Sequence, residues 1–289
     1  MKANLYALAA IALWASLSAL GVSLKHVPPF LLTGIALMIG SVLAWPFVIM
    51  DRRQWQVAPR TLGLGVFTLF GFHFLLFIAL RIAPAVEVNL VNYLWPLFIV
   101  VLAPFYLPGV ALRGVHIVAA ITGFAGAAIA ILGARGGAVA AATASSISPV
   151  WGYLLALFSA LIWANYSLQT KRAEVTGKGF PTAAIGLFGL VSGVLSLACH
   201  VALEPSATLS ARDWLLLAVM GLGPLGAAFF LWDKALKLGD ARQIGILSYL
   251  TPLASTVLLI MVTGRALTWS IALAAAMIIG AALVGTRRG

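Results

Sequence analysis

Ten long apolar stretches occupy most of this 289-residue chain. Each holds about 17–25 largely uncharged residues, the length that an α-helix needs to cross the ~30 Å hydrocarbon core of a bilayer. Because backbone polar groups inside a membrane must pair internally, such stretches fold as helices. The sequence therefore predicts an all-α membrane protein with ten transmembrane helices, which cover residues 4–24, 29–50, 61–80, 85–107, 114–133, 150–170, 182–203, 213–232, 241–262 and 268–286.

The composition excludes an ordinary soluble domain and argues against a nucleic-acid partner. Hydrophobic residues make up 63% of the chain and charged residues 9%, with a mean hydropathy of +1.08, whereas soluble domains carry about 25% charged residues. The net charge of +11 would otherwise suggest nucleic-acid binding. The basic residues lie in the short gaps between apolar stretches. The excess of Lys and Arg in the cytoplasmic loops of membrane proteins therefore explains the net charge better than a nucleic-acid partner does. The lipid bilayer is thus the expected surrounding.

The distribution of Lys and Arg predicts the orientation in a bacterial cytoplasmic (inner) membrane. With the first residue in the cytoplasm, five of the 18 basic residues face outward and the other 13 face the cytoplasm. Positive residues concentrate on the cytoplasmic side, and the reverse orientation would invert this ratio. We therefore expect both termini to be cytoplasmic. The five outward residues are Lys25, Arg81, Arg135, Arg212 and Arg265.

The two halves of the chain resemble each other. Residues 12–15 match 161–164 at an offset of 149, and residues 79–97 match 235–253 at an offset of 156. The boundaries that follow are an N-terminal repeat at 1–133, an Ala/Gly/Ser-rich linker at 134–148 and a C-terminal repeat at 149–289. The clearest matches place Ala79, Leu80, Ala85, Tyr93, Leu94, Pro96 and Leu97 against Ala235, Leu236, Ala241, Tyr249, Leu250, Pro252 and Leu253.

Five helices per half make the two repeats inverted. An odd number of crossings forces the second copy to enter the membrane from the opposite side. Inverted repeats are typical of secondary transporters, which bind substrate near the bilayer midplane between the halves. The sequence thus indicates a transporter before any family is considered.

Three motifs resemble the drug/metabolite transporter superfamily in its EamA-type branch, and more closely the YddG-type amino-acid exporters. They are Glu87-Val88 with Val91-Asn92-Tyr93-Leu94-Trp95-Pro96, the segment Phe158-Ser159-Ala160-Leu161-Ile162-Trp163-Ala164, and Ser248-Tyr249-Leu250-Thr251-Pro252. This resemblance implies ten helices, a central cavity between the repeats, and export of aromatic amino acids, or of a broader range of amino acids, by alternating access.

Two prolines are expected to create polar positions at mid-depth. Proline inside a helix leaves the carbonyl four residues earlier without a partner, and those residues are Asn92 for Pro96 and Ser248 for Pro252. One interpretation is that these groups recognise the ammonium or carboxylate of a substrate. The alternative is that the prolines only shape the helices, while Asn92 and Ser248 bond to neighbouring residues.

Other candidate substrate ligands share helix faces with these residues. Asn89, Asn92, Tyr93 and Pro96 are spaced as one face, and Trp163 and Tyr166 share another. Tyr249 and Trp14 are the repeat counterparts of Tyr93 and Trp163. Amides within a membrane usually face the bundle interior, and aromatic walls suit aromatic or apolar side chains. The alternative for Trp14 and Trp163 is simple packing.

Three ionisable residues have two possible roles each. Glu87 is a candidate proton-coupling or cation-coupling site, or an acid stabilised by a helix N-terminus. His73, in a stripe of phenylalanines, is a candidate pH-responsive ligand of the substrate site, or a neutral core histidine. Asp233 follows the eighth span and is expected to be an interfacial charge.

The remaining classes of function are disfavoured by what the sequence lacks. It has no metal-binding motif, no Walker lysine, and no deep acid pair or Ser-His set, so we expect neither a cofactor nor an enzyme. An intramembrane enzyme is the alternative from another class. Within transporters, the alternative substrate is another small metabolite or a drug cation. The oligomeric state stays open, and a monomer is compatible with the sequence.

Overall fold

A computed structural model describes residues 2–133, 148–263 and 269–285 of the chain. Within these residues, eight helical spans are long and apolar enough to cross a membrane. They are α1 (Lys2–Ser23), α2 (Pro29–Met50), α3 (Pro59–Ile82), α4 (Ala85–Tyr106), α5 (Gly114–Leu132), α6 (Pro149–Val175), α7 (Ala184–Leu203) and α8 (Ala211–Leu238).

Two further spans complete the ten that the sequence predicts. The ninth, α9, consists of Ala241–Leu247 and Leu250–Thr263 with a turn between them, and α10 is the 17-residue helix Trp269–Gly285. The described helices confirm the predicted all-α membrane fold and are compatible with ten membrane helices. Several spans are longer than expected: α8 continues to Leu238 and α6 to Val175. The predicted linker lies outside the described residues except for Ser148.

Breaks occur at equivalent places in α4 and α9. The first segment of α4 ends at Asn92 and the second begins at Trp95, while the break in α9 lies at residues 248–249. Pro96 and Pro252 therefore lie in the first turn of a new helix, where a missing N–H is tolerated. The sequence predicted continuous spans in which each proline frees one carbonyl, and the structure instead has a break shortly before each proline.

The helix contacts follow the inverted repeat. Exchanging the halves converts α1–α5 into α6–α10, and the main contacts map onto one another: α3 packs on α6 as α8 packs on α1, and α7 packs on α3 as α2 packs on α8. The pairs α2–α7 and α5–α10 join equivalent helices of the two halves. The protein is thus a bundle of two inverted five-helix repeats.

Glycines allow a close helix crossing between the repeats. At the α2–α7 contact, a Cβ atom added to Gly193 would lie 2.9 Å from the Gly34 carbonyl oxygen, and one added to Gly34 would lie 3.1 Å from the Gly193 carbonyl oxygen. Real Cβ atoms hardly ever come so close. The two repeats therefore meet backbone to backbone, as small residues permit within membranes.

Charged side chains gather at the two ends of the bundle. At one end, which we call the Lys25 end, Arg81 pairs with Glu204 at 2.8 Å and His26 with Asp213 at 3.1 Å. At the opposite end, the Lys237 end, Lys237 pairs with Asp233 at 2.7 Å and Arg242 with Asp240 at 2.6 Å. Successive connections thus alternate between the ends, as the sequence predicts.

Candidate functional site

A cavity of about 720 Å³ lies between the two repeats. Its wall comes from α1–α6, α8 and α9, so both halves contribute. Lys25, Val27 and Leu80 form part of the wall at the Lys25 end, while Trp163 and Phe229 lie much deeper along their helices. The cavity therefore reaches from the Lys25 end towards the middle of the bundle.

Aromatic rings form the deep part of the wall. The ring centroid of Trp163 lies 5.6 Å from that of Phe229 and 5.7 Å from those of Trp14 and Phe72. Trp95 completes the group at 6.3 Å from Trp163. These distances are in the range of favourable aromatic contacts. A planar apolar ligand could extend this arrangement by one more ring.

The orientation of Trp14 is fixed by an interruption in α8. Its indole N–H donates to the carbonyl oxygen of Pro224 at 3.1 Å. Pro224 belongs to a π-helical turn, Gly223–Ala227, inserted into α8. Such turns are rare and often accompany functional sites. The second repeat thus positions an aromatic residue of the first.

Asn92 is the best-anchored polar residue of the wall. It ends the first segment of α4, is 8% exposed, and its amide nitrogen donates to the Ser159 hydroxyl of α6 at 2.6 Å. Ser159 in turn donates to the Ala156 carbonyl at 2.8 Å. Because an amide has two N–H groups and an acceptor oxygen, this bond leaves capacity for a ligand.

Two threonine hydroxyls on the wall have no protein partner among the described residues. They belong to Thr33 on α2 and Thr251 on α9, and both oxygens are buried. A buried hydroxyl without a hydrogen bond costs about 1–3 kcal/mol. These groups could therefore contribute hydrogen bonds to a bound ligand after a small side-chain rotation.

His73 has one ring nitrogen occupied. Its Nδ1 lies 2.6 Å from the Leu69 carbonyl oxygen, and the side chain is largely buried between Phe72 and Phe77. The short distance requires that Nδ1 carry the proton, since a carbonyl only accepts. In neutral His73, Nε2 is then an acceptor. Both roles suggested by the sequence, a substrate ligand and a core histidine, are still predictions.

The structure brings some of the sequence candidates to the cavity and leaves others away from it. Those on the wall are Trp14, His73, Asn89, Asn92, Tyr93 and Trp163. Those that do not line it are Pro96, Tyr166, Ser248, Tyr249 and the possible coupling residue Glu87.

The candidates away from the wall have other contacts. The Ser248 hydroxyl donates to the Gly245 carbonyl, Tyr249 packs on Phe124, and Tyr166 packs beside Trp163. Glu87 lies in the first turn of α4, the position where a helix N-terminus stabilises an acid.

Several wall residues were not among the sequence candidates, and the repeat offset could have found some of them. At an offset of 156, Trp95 corresponds to Thr251 and His73 to Phe229, and all four line the cavity. Phe72 carries no such signal, because an apolar aromatic residue in a membrane helix is equally expected to face lipid. The offset thus identifies equivalent wall positions even where the residue types differ.

Inverted five-helix repeats around a cavity with mixed aromatic and neutral polar walls define a polytopic membrane protein of the transporter class. Among known families, the model of the EamA-like transporter family matches residues 1–132 and 150–286. The chain belongs to this family, and the resemblance seen in its motifs is confirmed.

Individual relatives extend over the whole chain. The aromatic amino acid exporter YddG of Ancylobacter novellus is 39% identical, over 99% of this chain and 97% of the relative. The protein of the same name from Escherichia coli is 27% identical, over 100% of this chain and 99% of the relative. A solved crystal structure superposes with a TM-score of 0.88 at 36% identity, covering 99% of this chain and 98% of the other.

Proposed function

We propose that this protein exports amino acids, aromatic ones and a broader range of others, across the bacterial cytoplasmic membrane. The curated relatives are named for aromatic amino-acid export and align over nearly the whole chain. The observation that carries the proposal is the aromatic wall around Trp163 beside a set of neutral polar groups. The substrate passes through the cavity by alternating access between the repeats, for which we propose the bounds 1–133 and 149–289 with the linker 134–148 between them.

The cavity matches an amino acid in size and chemistry. Its volume of about 720 Å³ falls within the ~300–1,000 Å³ of typical small-molecule sites. The rings of Trp14, Phe72 and Trp163 would stack on an aromatic side chain. Asn92 would bind the zwitterionic head, because an amide can accept from an ammonium and donate to a carboxylate.

The wall argues against the alternative substrates. None of the described residues that line the cavity is an aspartate or glutamate, so a drug cation would find no counter-charge in this conformation. Lys25, near one end of the wall, is the one lysine or arginine among them. An organic phosphate would therefore find little positive charge in the deep part of the cavity.

We further propose that the cavity opens to the outside. With both termini in the cytoplasm, as the Lys and Arg distribution favours, the Lys25 end faces outward. The aromatic group and the fully buried Trp232 then separate the cavity from the cytoplasm. This is the conformation from which an exporter releases its substrate.

Counterflow in proteoliposomes tests the substrate class. Purified protein in liposomes preloaded with unlabelled tryptophan should accumulate labelled tryptophan, phenylalanine and tyrosine faster than protein-free liposomes. For the alternatives, liposomes are preloaded with an unlabelled membrane-impermeant organic cation or with a sugar phosphate, and uptake of the same compound in labelled form is measured. Counterflow of the cation without any amino acid would overturn the proposal.

Reporter fusions test the orientation. Alkaline phosphatase joined after Gly289 should be inactive, and green fluorescent protein at the same point should fluoresce, because this end is expected in the cytoplasm. A phosphatase inserted between Lys25 and His26 should be active and serves as the opposite control. An active fusion after Gly289 would reverse the assigned sides of the cavity.

A further inference from the structure

A buried ion pair lies in α8 beyond the floor of the cavity. Asp233 is fully buried, and its Oδ2 accepts hydrogen bonds from Thr182 Oγ1 at 2.6 Å and from Lys237 Nζ at 2.7 Å. Its other oxygen, Oδ1, has no hydrogen-bond partner among the described residues. The sequence suggested an interfacial charge at Asp233; the structure shows that α8 continues past it to Leu238 and that its carboxylate is buried against the bundle near the Lys237 end.

Stability does not readily explain this pair. Removing two charges from water costs several kcal/mol per ion, so apolar residues of similar volume are often at least as stabilising. Ionisable residues within membrane spans usually mark a pathway or a binding site. The carboxylate of Asp233, with one oxygen unpaired, therefore calls for a functional explanation.

The repeat shows what these positions do in the other half. At an offset of 156, Trp232, Asp233 and Lys237 correspond to Leu76, Phe77 and Arg81. Leu76 and Phe77 line the open cavity, and the side chain of Arg81 is 39% exposed. Their counterparts at the Lys237 end are inaccessible or nearly so: Trp232 and Asp233 are fully buried, and the Lys237 side chain is 10% exposed.

The segments that precede α2 and α7 show the same relation. Val27 and Pro29, before and at the start of α2, line the open cavity. Before α7, the Phe180 carbonyl accepts from Lys237 at 2.7 Å, and Thr182 binds Asp233. Each basic residue also lies over a phenylalanine ring, Arg81 at 5.6 Å from Phe30 and Lys237 at 4.4 Å from Phe180.

The two ends of the bundle are thus built alike and differ in being open or closed. Because the halves share one fold in opposite orientations, each half can adopt the conformation of the other, which would open the Lys237 end and close the Lys25 end. In that state, Trp232 and Asp233 would line the cavity as Leu76 and Phe77 do here, and Lys237 would be exposed beside it as Arg81 is.

We propose that Asp233, Lys237 and Trp232 form a loading site for the zwitterion of an α-amino acid, accessible from the cytoplasm. This inference rests on the proposed function. Asp233 accepts hydrogen bonds from the substrate ammonium, Lys237 binds its carboxylate, and Trp232 packs on its side chain. The outer end has Phe77 in place of the acid, so a negatively charged ligand for the ammonium is confined to the cytoplasmic end, whereas Asn92 is neutral.

Competition from each side of the membrane tests the loading site. Everted vesicles present the cytoplasmic face to labelled tryptophan, and N-acetyltryptophan, which lacks the ammonium, should compete poorly with wild type. In Asp233→Asn, the apparent affinity for tryptophan should fall about tenfold or more. N-acetyltryptophan should then compete nearly as well as tryptophan. In right-side-out vesicles the ratio between the two competitors should be that of wild type.

Asp240→Asn is the matched control, because Asp240 forms an ion pair with Arg242 at the same end and its repeat counterpart, Pro84, does not line the open cavity, whereas Phe77 does. It should retain the wild-type competition profile on both faces. If Asp233→Asn keeps the wild-type ratio at the cytoplasmic face, or changes it equally on both faces, the loading site is refuted. A wild type that carries no amino acid would instead refute the proposed function.

Thiol labelling gives a second measurement that does not depend on transport. The single native cysteine, Cys199, is first replaced by serine. Asp233→Cys should then react with a membrane-impermeant maleimide from the cytoplasmic face, and tryptophan should slow the reaction. Phe77→Cys, its repeat counterpart, should react from the outer face. Labelling of Asp233→Cys only from the outside, or from neither face, would contradict the proposal.

Discussion

Replacing Trp163 by alanine is expected to lower the transport of aromatic amino acids by about tenfold or more, with a smaller effect on alanine or serine. Trp163 contacts most of the aromatic wall, including Trp14, Phe72 and Phe229. Stacking contributes about 0.5–1.5 kcal/mol beyond the apolar area that it buries. Since 1.4 kcal/mol is a tenfold change in affinity, loss of the ring accounts for an effect of that size.

Trp163 is also packed in the core, so the effect of the substitution on folding must be separated from its effect on transport. Truncating a buried tryptophan costs about 3–5 kcal/mol in soluble cores, and Trp163 is 4% exposed. Trp163→Phe keeps one ring and should retain much of the transport. Trp151→Ala is the matched control on the same helix, because Trp151 is 61% exposed on the outside of the bundle.

The measurement is the initial rate of uptake for each amino acid, divided by the amount of protein in the membrane. The interpretation of Trp163 as a wall residue predicts a change in preference between aromatic and small substrates. A uniform fall for all substrates, or none, would assign Trp163 to packing alone.

The fold could be predicted because its signals are repeated along the chain. Each span is long enough to be read separately, and the 156-residue offset aligns α3 and α4 with α8 and α9. The same offset placed Asn92 and Ser248 at equivalent depths, but the structure places only Asn92 on the cavity wall. The depth of a residue in the membrane follows from the sequence. Whether its side chain faces the cavity depends on where the helices break.

The breaks explain which candidates were displaced from the wall. In α9, the turn at 248–249 lets Ser248 bond to Gly245, and the residues that reach the cavity are Thr251 and Pro252 in the next turn. The burial of Asp233 was not predicted, for a related reason. In the sequence, a charge marks the end of an apolar stretch. Only the partners Lys237 and Thr182, which meet Asp233 in the folded bundle, make its burial possible.

Replacing Asn92 by leucine is expected to lower the transport of all amino acids together. A hydrogen bond to a charged group contributes about 1.5–3 kcal/mol, which corresponds to roughly 10- to 100-fold in affinity. Leucine has a similar volume but can neither donate nor accept. Because the zwitterionic head is common to all amino acids, the order of preference among side chains should stay the same.

The geometry around Asn92 makes this substitution informative. Asn92 donates to Ser159, but Ser159 satisfies its own hydroxyl by donating to Ala156, so little of the local hydrogen bonding is lost with the amide. Asn165→Leu is the matched control. Asn165 accepts from the Tyr106 hydroxyl at 2.9 Å and does not line the cavity. The Asn165→Leu substitution removes an amide from a membrane helix and leaves the proposed site unchanged.

Rates for a panel of amino acids separate the two interpretations of Asn92. If Asn92 binds the head group, Asn92→Leu should lower the transport rate of every amino acid in the panel. Asn165→Leu should lower these rates much less. If Asn92 only joins α4 to α6, both variants should be present in the membrane in smaller amounts, and the transport rate per molecule should be unchanged. Normal transport by Asn92→Leu, or an altered preference among side chains alone, would show that the zwitterion is bound elsewhere. In that event the unpaired hydroxyls of Thr33 and Thr251 would be the next candidates, since both lie on the same wall.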